Sequence, residues 1–93
     1  MDFKTVIDGY EDAISNMRWE VSHQIDDEIR RLGEVAESEV EGLKSSIRFL
    51  RQLIAENSGD IDGATSKGVI ATHVIKYADR LLGYYIDDLL AAE

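Results

Sequence analysis

The stretch IDDEIRRLGEVAESEVEG, residues 25–42, decides the fold of this 93-residue chain, because a helical pattern enters it, meets Gly33 and continues beyond it. Apolar residues recur at steps of three or four from Phe3 to Ile54. That spacing keeps one helical face and predicts helix on both sides of the glycine. The fold therefore depends on whether the helix runs through Gly33, bends there or turns back.

The residues around Gly33 predict a joint and not a full loop. Arg30 and Arg31 suit the C-terminal end of one helix, whereas Glu34 suits the start of another. No Ser, Asp or Asn directly follows the glycine to cap a new helix, and a tight reversal needs a connection of a few residues. We therefore predict a long helix that is kinked near Gly33.

The convincing loop in the chain is ENSGDIDGATSKG, residues 56–68, which is rich in glycine and in small polar residues. Asp62 or Thr65 is expected to cap the helix that follows it. The predicted segments of this single all-α domain, 1–93, are helices at about 2–32, 34–57 and 64–91 and a loop at 58–63. The expected buried face of the last helix comprises Ile70, Val74, Ala78, Leu81, Tyr85 and Leu89.

The segments 34–57 and 64–91 are similar in length and predict an antiparallel helical hairpin. Residues 2–32 then have two possible positions. They fold back as the first member of a three-helix bundle, or they project and bury their apolar stripe on another subunit. Because that stripe is too apolar to leave in water, we expect a homo-oligomer.

Composition excludes several classes of protein. The net charge of −9 argues against direct binding to nucleic acid or to an anionic membrane. No apolar run is long enough for a membrane span, and the acidic, amphipathic N-terminus is unlike a signal peptide. Cysteine is absent, which rules out disulfides and thiolate chemistry. We expect a cytoplasmic protein without a cofactor.

Two basic stripes are candidates for binding a small anion. The first contains Lys44, Arg48 and Arg51, which share one helical face with no acidic residue between positions 42 and 55. The second, on the last helix, contains His73, Lys76, Tyr77, Arg80 and Tyr84. Guanidinium groups match phosphate and carboxylate geometry, and aromatic rings beside them can stack a base. We expect any anionic ligand to bind in a groove between the two stripes.

Both stripes also have an ordinary structural interpretation. The cations of the first stripe can pair with the protein's own surplus carboxylates, for example Lys44 with Glu41. The tyrosines of the second can form an amphipathic boundary strip, with half-buried rings and wet hydroxyls.

Trp19, His23, Phe3 and Tyr10 are candidates for a protein interface. Trp19 is the single tryptophan, and it lies off the main apolar stripe with His23 four residues further on. Such aromatic residues often anchor interfaces. The alternative is that a wide bundle face takes Trp19 into its own core.

An acidic group formed by Glu34, Glu37, Glu41 and Asp79 is the candidate for Mg²⁺, because carboxylates on facing helices can hold this ion. Residues 32–37, LGEVAE, resemble the acidic helix of the all-α nucleoside triphosphate pyrophosphohydrolases. The resemblance covers six residues, and the second acidic element of that family is missing, because Lys76 stands where a glutamate would precede Asp79.

These observations favour a small acidic helical protein that occupies a basic surface on another macromolecule, as phage or mobile-element inhibitors of host factors do. Acidic charges at the rim of such an interface would speed association and make it sensitive to salt. The alternatives are an oligomer that sequesters a nucleotide-like anion and a Mg²⁺-dependent nucleotide pyrophosphohydrolase.

Overall fold

The computed structural model describes residues 2–92, apart from the side chain of Ile7. This part of the chain forms three α-helices and no strand: α1 (Phe3–Val35), α2 (Glu39–Asn57) and α3 (Ser66–Ala92). The predicted all-α, bundle-like fold is confirmed. None of the three helices is long and apolar enough to cross a membrane.

The joint predicted in residues 25–42 exists, but it is not at Gly33. α1 continues through Gly33 to Val35, and the chain then reverses over Ala36–Ser38. Ser38 is the N-cap of α2, and its hydroxyl accepts a hydrogen bond of 3.1 Å from the backbone N–H of Glu41. Three extended or bent residues are therefore enough for the reversal, so the expected kink is a true turn.

Small residues allow the two helices to approach at this turn. Gly42 is buried, and a Cβ atom added to it would lie 3.4 Å from the Cβ of Ala36 and 3.6 Å from the Cα of Gly33. A larger side chain at position 42 would push α1 and α2 apart at the corner.

The second connection, residues 58–65, has the capping residues that the sequence predicts. The carboxylate of Asp62 accepts from the N–H of Ala64 at 2.9 Å, and the hydroxyl of Thr65 accepts from the N–H of Gly68 at 2.9 Å. Thr65 is thus the N-cap of α3, which begins two residues later than expected. Gly68 is buried under the loop, directly against the backbone of Asp62.

Side-chain contacts define the directions of the helices. Tyr10, Ser22 and Asp26 of α1 meet Ser66, His73 and Tyr77 of α3, in the same order along both helices. α1 and α3 therefore run parallel, and α2 runs antiparallel between the two turns. The result is an up-down-up bundle, in which α2 and α3 pack most extensively.

The core lies where the three helices meet. Its central residues are fully or almost fully buried: Ile25, Ile29, Leu50, Val74 and Ala78. Ile70, Leu81 and Tyr85 pack against them, as the periodicity of α3 predicts. The apolar spacing of each helix therefore identified the faces that form the core.

The helices differ in length, which leaves one end of α1 without neighbours. By the rise of an α-helix, α1 is about 50 Å long, α3 about 40 Å and α2 about 28 Å. The bundle accordingly measures 58 × 23 × 19 Å. Most of residues 2–32 thus fold back on the bundle, as in the first of the two expected positions, and the first turns of α1 project beyond it.

Candidate functional site

The projecting start of α1, residues 3–13, forms an exposed arm. Phe3 is 84% exposed, and Ile14 is the first buried side chain among those that the structure describes in this helix. Tyr10 is the first described residue of the arm with a side-chain contact to α3, where its hydroxyl lies 3.3 Å from that of Ser66. α3 has not begun before this point, so the turns of α1 that precede Tyr10 have no helix opposite them.

Exposed apolar side chains lie along one face of the arm and continue past it. This apolar stripe consists of Phe3, Val6, Tyr10 and Met17, at steps that together keep one helical face. The face is a continuation of the one that enters the core further along α1, at Val21 and Ile25. The apolar spacing that places residues of α1 in the core therefore continues toward its N-terminus, where the side chains are exposed to solvent.

The arm is acidic. Residues 2–12 carry the carboxylates Asp2, Asp8, Glu11 and Asp12 and one ammonium group, Lys4. Asp2 caps the helix, because its carboxylate accepts from the N–H of Lys4 at 3.0 Å. None of the ion pairs formed by residues 2–92 involves this segment.

Trp19 lies outside the core. Its side chain is 67% exposed, and its ring packs edge-on against His23 at a centroid distance of 4.0 Å. The alternative that the bundle takes Trp19 into its interior is therefore wrong. Two residues after Met17, Trp19 points away from the apolar stripe and forms a second exposed aromatic surface.

Part of the second basic stripe lines a cavity between α1 and α3. This cationic cavity has a volume of about 370 Å³ and is open to solvent; its lining consists of Arg18, Gly63, Val69, Thr72, His73 and Lys76. An adjoining depression of about 410 Å³, which shares Arg18 and Val69, extends toward Tyr10 and Glu11 of the arm. The cavity therefore lies at the base of the arm.

Polar contacts hold α1 and α3 together beside the cationic cavity. The hydroxyl of Ser22 lies 2.8 Å from Nε2 of His73, and the hydroxyl of Tyr77 donates to the carboxylate of Asp26 at 2.6 Å. Burial, followed by the positive charge of Arg18, lowers the pKa of His73. Burial and the hydrogen bond to Asp26 raise the pKa of Tyr77 to about 12.

The structure does not form the expected groove between two basic stripes. The cationic cavity takes nothing from α2: Lys44 lies 4.0 Å from Glu41, and Arg48 donates to the hydroxyl of Ser45. Arg51, Arg80 and Tyr84 are exposed and do not line the cavity. The pairing of Lys44 with Glu41 follows the ordinary interpretation of the first stripe.

Arg18 is the residue that sequence reasoning missed. It belongs to a different helix from His73 and Lys76, fifty-five or more positions away. Its spacing to Ser22, four residues, places both on one helical face, but only the pairing of α1 with α3 shows which residues they meet.

The acidic residues considered for Mg²⁺ do not form a site. Within residues 2–92 no group of three or more His, Asp or Glu side chains is positioned to hold a metal ion. The reversal at Ala36–Ser38 is the physical reason, because it places Glu34 on α1, Glu41 on α2 and Glu37 in the turn between them. Their assumed common helical face does not exist.

Comparisons with known proteins identify no relative: no family, curated protein or solved structure shows a significant match to this chain.

Proposed function

We propose that this chain is an acidic helical binding protein whose arm occupies an apolar, basic-bordered surface on another macromolecule. The observation that carries the proposal is the exposed apolar stripe on a helix segment that reaches past its own bundle. Such a segment resembles in form the helices that other proteins bind in grooves, with anchors at steps of three and four residues.

The apolar stripe can supply binding energy. Fully burying a side chain such as Phe or Val is worth about 1.5–3 kcal/mol each. Phe3 is 84% exposed, and Val6, Tyr10 and Met17 are about half exposed, so most of this gain is still available. The arm continues a helix that the bundle already holds, so its helical form needs no new nucleus and costs less conformational entropy on binding than a disordered segment does.

Charge indicates the chemistry of the partner. Four carboxylates against one ammonium group give residues 2–12 a negative field, which attracts a basic surface and speeds its association. Two copies of the arm would bring like charges together. We therefore assign the apolar stripe to a basic protein partner, and pairing between copies of the chain becomes the alternative outcome of the test.

In this role the protein acts as a regulator or inhibitor, because a surface that the arm covers is closed to its other ligands. Trp19 and His23 would extend the contact on the neighbouring face of α1.

The test compares two variants with the native chain as ligands for a partner protein. The first variant, Phe3→Ser/Val6→Ser, removes apolar anchors from the arm. The second, Val35→Ser, removes an apolar side chain that is 67% exposed at the opposite end of α1. A protein that is retained by the native chain is purified, and its affinity for all three chains is measured by calorimetry at low and at moderate salt.

We expect the Val35→Ser chain to bind like the native chain and the arm variant to bind at least about tenfold more weakly. Binding to the native chain should weaken as salt rises. Equal binding by the arm variant would contradict the proposal. Native mass spectrometry of the same chains tests the alternative. If the native chain forms an oligomer and the arm variant is a monomer, the apolar stripe binds a second copy of the chain.

A further inference from the structure

The lining of the cationic cavity has the opposite charge from the molecule as a whole. The chain has 19 acidic and 10 basic residues. The cavity nevertheless contains Arg18, Lys76 and the imidazole of His73, and no carboxylate. The local charge of the cavity lining is therefore positive, although the net charge of the chain is negative.

The two cations of the cavity are also not used in ion pairs within the part of the chain that the structure describes. The ion pairs there engage Arg30, Arg31, Lys44 and Lys67, none of which lines the cavity. Arg18 and Lys76 approach from different helices and face the same volume. Their two positive charges therefore reinforce each other inside the cationic cavity.

We propose that the cationic cavity binds a phosphate group, held between the guanidinium of Arg18 and the ammonium of Lys76. This site uses neither the apolar stripe nor the basic partner proposed above, so the two proposals fail or succeed separately.

The chemistry of the lining matches a phosphate group. Arginine donates two parallel hydrogen bonds to the oxygens of one phosphate, and lysine adds a compact charge with mobile donors. The imidazole of His73 supplies a further N–H when it is protonated. The hydroxyl of Thr72 already donates to the carbonyl of Gly68 at 2.9 Å, so it can contribute only as an acceptor from a protonated ligand oxygen.

The volume and the apolar wall indicate that the phosphate group can carry a substituent. A cavity of about 370 Å³ is within the range of small-molecule sites, and it exceeds what one inorganic phosphate fills. Val69 provides an apolar surface beside the cations. A phosphomonoester and free phosphate share the chemistry that the cations recognise, and the test separates them.

The test is a titration followed by NMR of the amide groups, with inorganic phosphate and with adenosine monophosphate as separate probes. Ionic strength is held constant with sodium chloride, because screening alone changes charged surfaces. Binding should move the amide signals of Gly63, Val69 and Thr72 together. It should also raise the pKa of His73, because a bound anion opposes the effect of Arg18 on that ring. The other groups near the ring are Ser22 of α1 and Lys76, Tyr77 and Arg80 of α3.

Two substitutions locate the site. Arg18→Gln and Lys76→Gln each remove a cation from the cavity, whereas Arg48→Gln removes the same charge from an exposed position on α2. We expect the first two to weaken binding of the probe about tenfold or more and the third to leave it unchanged. Because all three side chains are exposed or at the surface, circular dichroism should show the same helix content in every variant.

Either probe supports the proposal if Arg18→Gln weakens its binding by about tenfold or more. Equal affinity for the two probes identifies free phosphate as sufficient, and tighter binding of the monophosphate identifies contacts to its substituent. Three results overturn it. One is no shift of the cavity signals by either probe at tens of millimolar, and another is unchanged binding in both Arg18→Gln and Lys76→Gln. The third is equal weakening by Arg48→Gln, which would mean attraction to net charge and not to a site.

Discussion

At the residue scale, Leu50 lies at the meeting point of the three helices. It is the largest side chain without any exposed surface, and it contacts the core residues of α1 and α3. Its position follows from the apolar period of α2, in which Ile47, Leu50 and Ile54 share a face. The apolar spacing of α2 is thus sufficient to predict that Leu50 lies in the core.

Leu50→Ala should lower the free energy of unfolding by about 2–5 kcal/mol, because it leaves a cavity where the surrounding helices cannot collapse. Leu90→Ala is the matched control, since Leu90 is 68% exposed and should change the stability by less than about 0.5 kcal/mol. Urea unfolding followed by circular dichroism measures both. Similar values for the two variants would contradict the position of the core.

Tyr77 links α3 to α1 through its hydrogen bond to Asp26. The pKa of its phenol is raised from 10.0 to about 12 in the folded chain, so the folded state holds this proton more tightly than the unfolded state. The corresponding stability is complete below pH 10 and is lost as the pH rises toward 12. Tyr85, whose pKa burial also raises, contributes in the same direction.

Tyr77→Phe should therefore reduce the loss of stability between pH 10 and 12 and lower the stability at neutral pH by about 1 kcal/mol. Tyr84→Phe provides the control, because Tyr84 is 61% exposed. Thermal unfolding at a series of pH values gives both quantities. If the native chain and Tyr77→Phe lose stability equally above pH 10, the hydrogen bond to Asp26 does not hold the proton.

At the scale of elements, Gly33 and Gly68 show how differently two glycines act. Gly33 lies inside α1, and a Cβ atom there would meet nothing within 4 Å. Gly68 lies in the first turn of α3, and a Cβ atom there would collide with the backbone of Asp62. The first glycine only weakens its helix, whereas the second is required for the loop to close over α3.

Gly33→Ala should raise the free energy of unfolding by about 0.5–1 kcal/mol, since alanine is the better helix former and has room. Gly68→Ala should be destabilising, because the loop must move away. Chemical denaturation of both variants distinguishes the helical Gly33 of the structure from the kink that the sequence predicts. Destabilisation by Gly33→Ala would support the kink.

At the scale of the whole molecule, the unequal lengths of the helices produce the arm. α2 and α3 cover each other and the later part of α1, whereas every described side chain of residues 3–13 remains exposed, and Tyr10 alone among them reaches α3 with a hydrogen bond. A helix that lacks tertiary contacts has little stability of its own and opens often. The same helix should therefore be rigid at one end and labile at the other.

Amide hydrogen exchange should show this gradient within α1. Amides of residues 8–13 should exchange at least about a hundredfold faster than those of residues 25–31, which lie against the core. Both groups are in one continuous helix, so each serves as the control for the other. Uniform protection along α1 would mean that the arm is covered in solution, as by a second copy of the chain.

The sequence alone determined the helical class, the loop before α3, the caps at Asp62 and Thr65, and the core faces of the helices. These features are local, because a period of three to four residues or a capping side chain acts within a few positions. Only the tertiary structure showed the reversal at Ala36–Ser38, the cavity that Arg18 shares with His73 and Lys76, and the exposure of the apolar stripe. The cavity and the exposed stripe depend on how residues about fifty positions apart pair and on how far one helix outreaches another, and the reversal depends on how closely α1 and α2 pack around Gly42. That information lies in the packing of the bundle and not in the spacing along any one helix.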